Sequence, residues 1–342
     1  MNQPPGRIMD PAPGSRRIHV LLDCVGDPLP LLMQRGFRRS EITITPDAGS
    51  LPPARVRAIV RGATAVLSPL TITIDDAFLE AAGSSLRVIA NYAVGVDNID
   101  LAACHRRDVV VCNGPPPMVE PTADIAWALL LATTRRVRAG IALAESGSWA
   151  GYDPKLLLGH RLTGGTLLVV GAGRIGAAVA RRSIGWDMQV LYTARSEKPD
   201  LHEPPIGASR VTLEAGLPLA DAVVLTTSLN ASTRHLMNAR TIDLMKRTAV
   251  LVNVSRGPVV DEAALAAALH AGRIHGAGLD VFEHEPKIDP GLIDAGNVVL
   301  LPHIGSATIE DRTELTRICV DEIASVLEGS KPRFPVDTGP AG

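Results

Sequence analysis

The sequence predicts an α/β chain of two domains, each built on a parallel sheet covered by helices, and three observations carry that reading. Short runs rich in Val, Ile and Leu alternate with stretches long enough for helices. One of these runs ends in a glycine-rich turn that opens an Ala-rich segment. The length, 342 residues, exceeds the roughly 100 to 200 usual for one domain. With 46% hydrophobic and 20% charged residues the chain should fold by burial alone.

Taken in order, residues 1–17 hold Pro4, Pro5, Pro11 and Pro13 and no apolar stretch, so a floppy lead-in is expected instead of a secretory signal. The first domain, expected over residues 18–117, is marked by apolar runs at 19–22, 65–67, 87–90 and 109–112. Residues 121–145 are rich in Ala and Leu, with no Gly before Gly140, and predict one long helix at the domain boundary. Turns follow at Gly147, Gly151 and Pro154. A second series of runs, at 166–170, 189–192, 222–226, 249–252, 276–279 and 298–301, supplies six strands for a doubly wound sheet expected over residues 118–304. Thr308 with Asp311 offers a capping box, and Leu315, Ile318, Cys319, Ile323 and Leu327 recur at helical spacing. Because the second series sits in the middle, residues 305–342 are expected to return to the first domain and make it discontinuous.

Composition excludes several roles. A net charge of -2 and a pI near 6.5 leave no basic excess for a nucleic-acid backbone. The longest apolar run, residues 125–132, falls short of the roughly 18 to 20 needed to cross a bilayer, so no membrane partner is expected. Cys24, Cys104, Cys112 and Cys319 form no C-x-x-C pair, which fits a reducing cytoplasm. Neither H-E-x-x-H nor a Cys/His cluster spells out a metal site.

Gly171-Ala172-Gly173-Arg174-Ile175-Gly176 follows one apolar run and opens a helical stretch, the context that a dinucleotide fingerprint requires. Gly171 permits the tight turn, Gly173 lets backbone approach a pyrophosphate, Gly176 allows close packing, and the helix N-terminus offers amides to phosphate. About 20 residues further on, where an acid would hold a ribose 2′-hydroxyl, the sequence reads Ala194-Arg195-Ser196, with Lys198 nearby. That set suits a 2′-phosphate and favours NADP(H) over NAD(H). The alternative is a solvated loop with chance cations, in which Glu197 offsets the charge or reaches the ribose itself and NAD(H) is accepted.

Three further motifs, Asn253-Val254-Ser255-Arg256-Gly257, the run from Gly278 through Asp280 and Glu285 to Pro286, and Pro302-His303-Ile304-Gly305-Ser306, each follow an apolar run. With the stretch from Asn91 through Val94, Gly95 and Asp97 to Asp100, they give the chain, from about residue 18 to about 335, a clear likeness. It resembles the D-isomer-specific 2-hydroxyacid dehydrogenase family, most closely the glyoxylate/hydroxypyruvate reductase branch. The resemblance implies two Rossmann-like domains: a central doubly wound dinucleotide-binding domain and a discontinuous, flavodoxin-like substrate domain. It implies Arg256, Glu285 and His303 as the catalytic set, with His303 as proton donor, Glu285 favouring its imidazolium form and Arg256 clamping substrate carboxylate and carbonyl. It also gives the Val94 and Gly95 amides to the substrate carboxylate and Ser68 and Leu70, with Pro69, to the pocket wall. Asp280 becomes a cofactor-side carboxylate, and Thr227, Val254, Ser255, His303 and Gly305 complete the cofactor set.

The activity so implied is NADPH-preferring reduction of glyoxylate and hydroxypyruvate to glycolate and D-glycerate. Alternatives are the same chemistry on another small 2-oxo acid or on phosphite, and, more remotely, a corepressor-like protein that senses dinucleotide. A homodimer through the nucleotide domain is also implied, and residues 126–132 are compatible with such contact or with their own core. Hinges are expected at residues 113–119 and 302–306. The other eight histidines, His19, His105, His160, His202, His235, His270, His275 and His284, read as surface or packing residues. Two departures stand out: Asn113-Gly114-Pro115, followed by Pro116 and Pro117, replaces the usual Asn-Thr-Pro turn, and Ser228 replaces a Pro.

Overall fold

The computed structural model describes residues 16–337, so all but the last two residues of the expected lead-in lie outside the described part. The chain divides into two compact units, one running to Met118 and resuming at Thr308, the other spanning Val119–Ala307.

The first unit carries β1 (Ile18–Val20), β2 (Ile42–Ile44), β3 (Ala65–Ser68), β4 (Val88–Asn91) and β5 (Val110–Cys112). They pair in parallel in the order β2-β1-β3-β4-β5, the flavodoxin-like order. β2 escapes the sequence reading because it is a three-residue edge strand with Thr43 exposed, too short to leave a periodic trace. Along β3 and β4 the side chains alternate between two cores, Leu67 and Val88 on one face, Val66 and Ile89 on the other. The helix Ile309–Leu327 places Leu315, Cys319 and Ile323 with Ile18 and Val20 in the first of these cores. Its N-terminus is set by the Thr308 hydroxyl, which accepts the Asp311 amide at 3.1 Å, and by two acids in the first turn. A side chain at Gly114 would run into Leu315, which accounts for the altered Asn113-Gly114-Pro115 turn.

The second unit has β6 (Thr166–Val170), β7 (Gln189–Thr193), β8 (Ser209–Arg210), β9 (Ala222–Leu225), β10 (Val250–Asn253), β11 (Gly276–Leu279) and β12 (Val298–Leu300). The sheet is parallel in the order β12-β11-β10-β9-β6-β7-β8, doubly wound, with its switch between β6 and β9. Seven strands replace the expected six, because the two-residue β8 has no apolar pattern. Both faces of the sheet are covered: Leu167, Val169, Val224 and Val252 enter one core, Leu168, Val170, Val223 and Leu251 the other.

The single long helix expected over residues 121–145 is corrected to two, Val119–Thr134 and Val137–Glu145, separated by a left-handed Arg136 at φ 54°. The break is tertiary in origin. The Thr134 carbonyl accepts from the His160 amide at 3.2 Å, with His275 Nε2 3.3 Å away, and the Thr133 carbonyl accepts from Asn297 Nδ2 at 3.2 Å. The last carbonyls thus serve other elements instead of a further helical turn. Within the first helix Ala126, Leu129 and Leu130 bury into this unit's own core. No helix among the described residues is long and apolar enough to cross a membrane.

Candidate active site

The glycine-rich turn sits at the C-terminal end of β6, at the switch point of the sheet. Gly171 adopts φ 97°, open to glycine at little cost, and any side chain there would lie 2.7 Å from the Thr227 backbone. Its amide donates to Thr193 O at 3.0 Å and its carbonyl accepts the Thr226 hydroxyl at 2.7 Å, which ties the turn to the ends of β7 and β9. Gly176 packs against that same carbonyl from the first turn of the helix Arg174–Arg182. Gly173, by contrast, faces open space. Beside the turn lies a cavity of about 780 Å³. The loop after β7 and Arg210 of β8 also line it.

A bare glycine backbone, a helix N-terminus and cationic side chains around one cavity fit a dinucleotide. Of the expected cofactor residues, Gly171, Ala172, Gly173, Ala194, Arg195, Ser196 and Thr227 line the cavity. Arg174, Ile175 and Gly176 form the helix start behind it.

The second cluster is built on the ends of β10, β11 and β12. His303 Nδ1 lies 2.9 Å from a Glu285 carboxylate oxygen, and the other oxygen of Glu285 accepts the Phe282 amide at 3.0 Å. Burial pushes the Glu285 carboxyl up, but the His303 hydrogen bond and charge, the Phe282 amide and the Arg256 charge outweigh it and hold it below the ordinary glutamate range. Arg256 leaves β10 in an extended conformation, its carbonyl held by Asn253 Nδ2 at 2.9 Å. At Gly257 any side chain would run into the Phe282 carbonyl, so the Arg256 loop and the Glu285 loop touch backbone to backbone.

His303 itself is left-handed, at φ 55°, an uncommon state for a residue with a side chain. Asp280 enforces it. That carboxylate, 2% exposed, accepts the Ile304 amide at 2.8 Å and the Gly305 amide at 2.7 Å, while the Asp280 carbonyl takes the His303 amide at 2.9 Å. Burial raises the Asp280 carboxyl, against the lowering effect of the two amides and of the His303 charge. Glu262, 5% exposed, plays the same part for the other loop, its carboxylate accepting the Glu283 and Asp289 amides on either side of Glu285.

The family described as D-isomer specific 2-hydroxyacid dehydrogenase, NAD binding domain, matches residues 127–305. The chain is 42% identical over 296 residues to the glyoxylate reductase of Thermococcus kodakarensis, covering 85% of this chain and 88% of that one. It is 41% identical, at the same coverage, to the glyoxylate reductase of Pyrococcus furiosus. The chain belongs to the D-isomer-specific 2-hydroxyacid dehydrogenase family. Among solved structures, an NADPH-dependent glyoxylate/hydroxypyruvate reductase from Sinorhizobium meliloti, in complex with NADP and malonate, is similar at a TM-score of 0.80 and 30% identity, over 96% of this chain and 98% of that one. The chain is therefore an NAD(P)-dependent dehydrogenase of small 2-hydroxy acids, with a nicotinamide dinucleotide as cofactor.

Within this dehydrogenase the expected residues fall into distinct places. Arg256, Glu285 and His303 converge in the second unit. Val254 and Ser255 are nearly buried beneath Arg256, and Asp280 and Gly305 are buried beneath the His303 turn. In the first unit the Val94 and Gly95 carbonyls are tied back by Asn113 Nδ2 at 2.6 Å and Asn91 Nδ2 at 2.8 Å. Leu70 is half-buried, whereas Ser68, expected on the pocket wall, is wholly buried at the end of β3, so its side chain is corrected to a core position. Sequence reasoning missed Arg210, Glu262, Asn253 and the His235–Glu283 contact of 2.6 Å. Asn253 and Glu283 stood within motifs; Arg210, Glu262 and His235 act through pairings that spacing does not reveal.

Proposed function

We propose that the chain is an NADPH-preferring reductase of small 2-oxo acids, glyoxylate and hydroxypyruvate foremost, yielding glycolate and D-glycerate. The hydrogen-bonded His303–Glu285 pair beside Arg256, fixed by two buried carboxylates, carries the reading. The names of the Thermococcus and Pyrococcus relatives and of the Sinorhizobium structure support the substrate class, and the last supports NADPH. A homodimer belongs to the same proposal.

When bound, the reduced nicotinamide supplies hydride to the substrate carbonyl carbon. The remaining work falls to the chain. Glu285 occupies Nδ1 of His303, so Nε2 is the nitrogen that delivers the proton to the carbonyl oxygen. Arg256, always charged, binds the substrate carboxylate and stabilises negative charge developing on that oxygen. The amides of Val94 and Gly95 are further donors for the substrate carboxylate. Arg195, Ser196 and Lys198 receive the 2′-phosphate, for which the acid-free position Ala194 leaves room.

The deciding measurement is kcat/KM for glyoxylate with NADPH and with NADH, followed by hydroxypyruvate, pyruvate and phenylpyruvate. The expected result is turnover of the two-carbon and three-carbon acids with NADPH at least about tenfold ahead of NADH, the worth of one charge-assisted contact. Equal use of both cofactors overturns the cofactor assignment, and tight dinucleotide binding without turnover of any of the four acids overturns the reductase.

A further inference from the structure

We infer that Arg210 sets the cofactor preference as a positioning residue: it neutralises Glu197 and pins the loop of residues 194–198, making a would-be ribose-hydroxyl site into a 2′-phosphate site. The inference rests on the NADPH reading above and adds to it a residue that no motif marks.

Four charged side chains stand in the cavity wall, Arg195, Lys198 and Arg210 against Glu197. Glu197 is the one acid of that wall, on the loop where an NAD-type site keeps the carboxylate that accepts from the ribose diol. Left unpaired, it would repel a 2′-phosphate and welcome a 2′-hydroxyl. It is not left unpaired. One Glu197 oxygen accepts from Arg210 at 3.1 Å; the other accepts the Tyr192 hydroxyl at 3.1 Å and lies 3.2 Å from His202 Nε2. The Arg210 hydrogen bond is the largest influence holding the Glu197 carboxyl below its ordinary range, so the acid is charged at neutral pH.

The rest of Arg210 is spent on the loop backbone: Nε donates to Ala194 O and an NH2 nitrogen to Arg195 O, both at 3.0 Å. Arg210 is the register partner of Tyr192 across β7 and β8, and Tyr192, wholly buried, takes the Lys198 amide on its hydroxyl at 2.9 Å. The short strand β8 thus places a guanidinium where it reaches both the acid and two carbonyls. A fork of fixed donors suits this task, which a single ammonium would not perform.

The test is direct binding, by calorimetry, of NADP+ and NAD+ to wild type, Arg210→Leu, Glu197→Gln and the double variant. Arg210→Leu is expected to shift the NADP+/NAD+ affinity ratio toward NAD+ by about tenfold or more. Adding Glu197→Gln to it is expected to recover the part of the lost NADP+ affinity that comes from the unmasked acid, severalfold over Arg210→Leu alone, while the part owed to the two lost carbonyl contacts stays lost. An unchanged ratio in Arg210→Leu, or no rescue in the double variant, overturns the inference. The wild-type ratio judges the NADPH reading separately: a wild type without NADP+ preference sinks that reading, while the shift between variants still judges Arg210.

Discussion

His303 combines an uncommon backbone state with a ring nitrogen committed to Glu285, and both point to a group selected for direction. His303→Gln keeps a polar side chain but cannot donate a proton to the developing alkoxide, so reductive kcat is expected to fall by about 10²- to 10⁴-fold. Steady-state kinetics with circular dichroism as a folding control checks this; a loss under about tenfold in a folded variant removes His303 from the mechanism. The Glu285 partner remains charged through the assay range. Because its folded carboxyl is depressed, the stability it contributes is present above the ordinary glutamate range and is lost only as pH falls through the lowered value. At this scale the sequence was most legible where a side chain ends a strand: Arg256, Glu285 and His303 each follow an apolar run. Arg210 was illegible for the opposite reason, since its meaning comes from pairing across β7 and β8, and Asp280 was legible as important but not as the anchor of the His303 turn.

Elements show the same division. Strands buried on both faces announce themselves as apolar runs, so most of both sheets could be read, while the edge strands β2 and β8 could not. The helix break at Arg136 had no Pro or Gly to mark it, because the carbonyls that end the first helix are claimed by His160, His275 and Asn297 from distant parts of the chain. Loop-to-loop contact is likewise invisible in spacing, and Gly257 is the sharpest case. Gly257→Ala must push the Arg256 loop away from Phe282. Displacement near 1 Å at a binding group costs about 10²-fold in rate, and overpacking costs about 1 to 3 kcal/mol. The expected outcome is a drop of that order in kcat/KM together with a lower melting temperature. Wild-type kinetics in this variant would show that the contact does not position Arg256.

For the whole molecule, chain order alone suggested that the tail rejoins the first unit, since a complete nucleotide sheet sits between two parts of the sequence. The assembly is harder to read, and the structure changes which residues bear on it. Ala126, Leu129 and Leu130 are spent on their own core, yet the next helix, Val137–Glu145, buries none of its residues despite Val137 and Ile141 on its surface. Beyond it Trp149, 59% exposed, and Tyr152, 90% exposed, are further large exposed side chains, with Leu158 further along. Solitary exposed apolar residues are ordinary, but several large ones on one helix and the segment after it are where the dimer proposal places its contact. A second copy of this chain is the occupant that the dimer proposal requires, and aromatic anchors are the residues that would dominate such an interface. Wild type is therefore expected to elute as a dimer at micromolar concentration in chromatography with light scattering, and Ile141→Glu combined with Trp149→Glu to elute as a folded monomer. Both positions are solvent-facing in the single chain, so the pair should leave its thermal unfolding close to that of an isolated subunit. A wild-type monomer, or a variant that stays dimeric, would assign these side chains to something other than self-association.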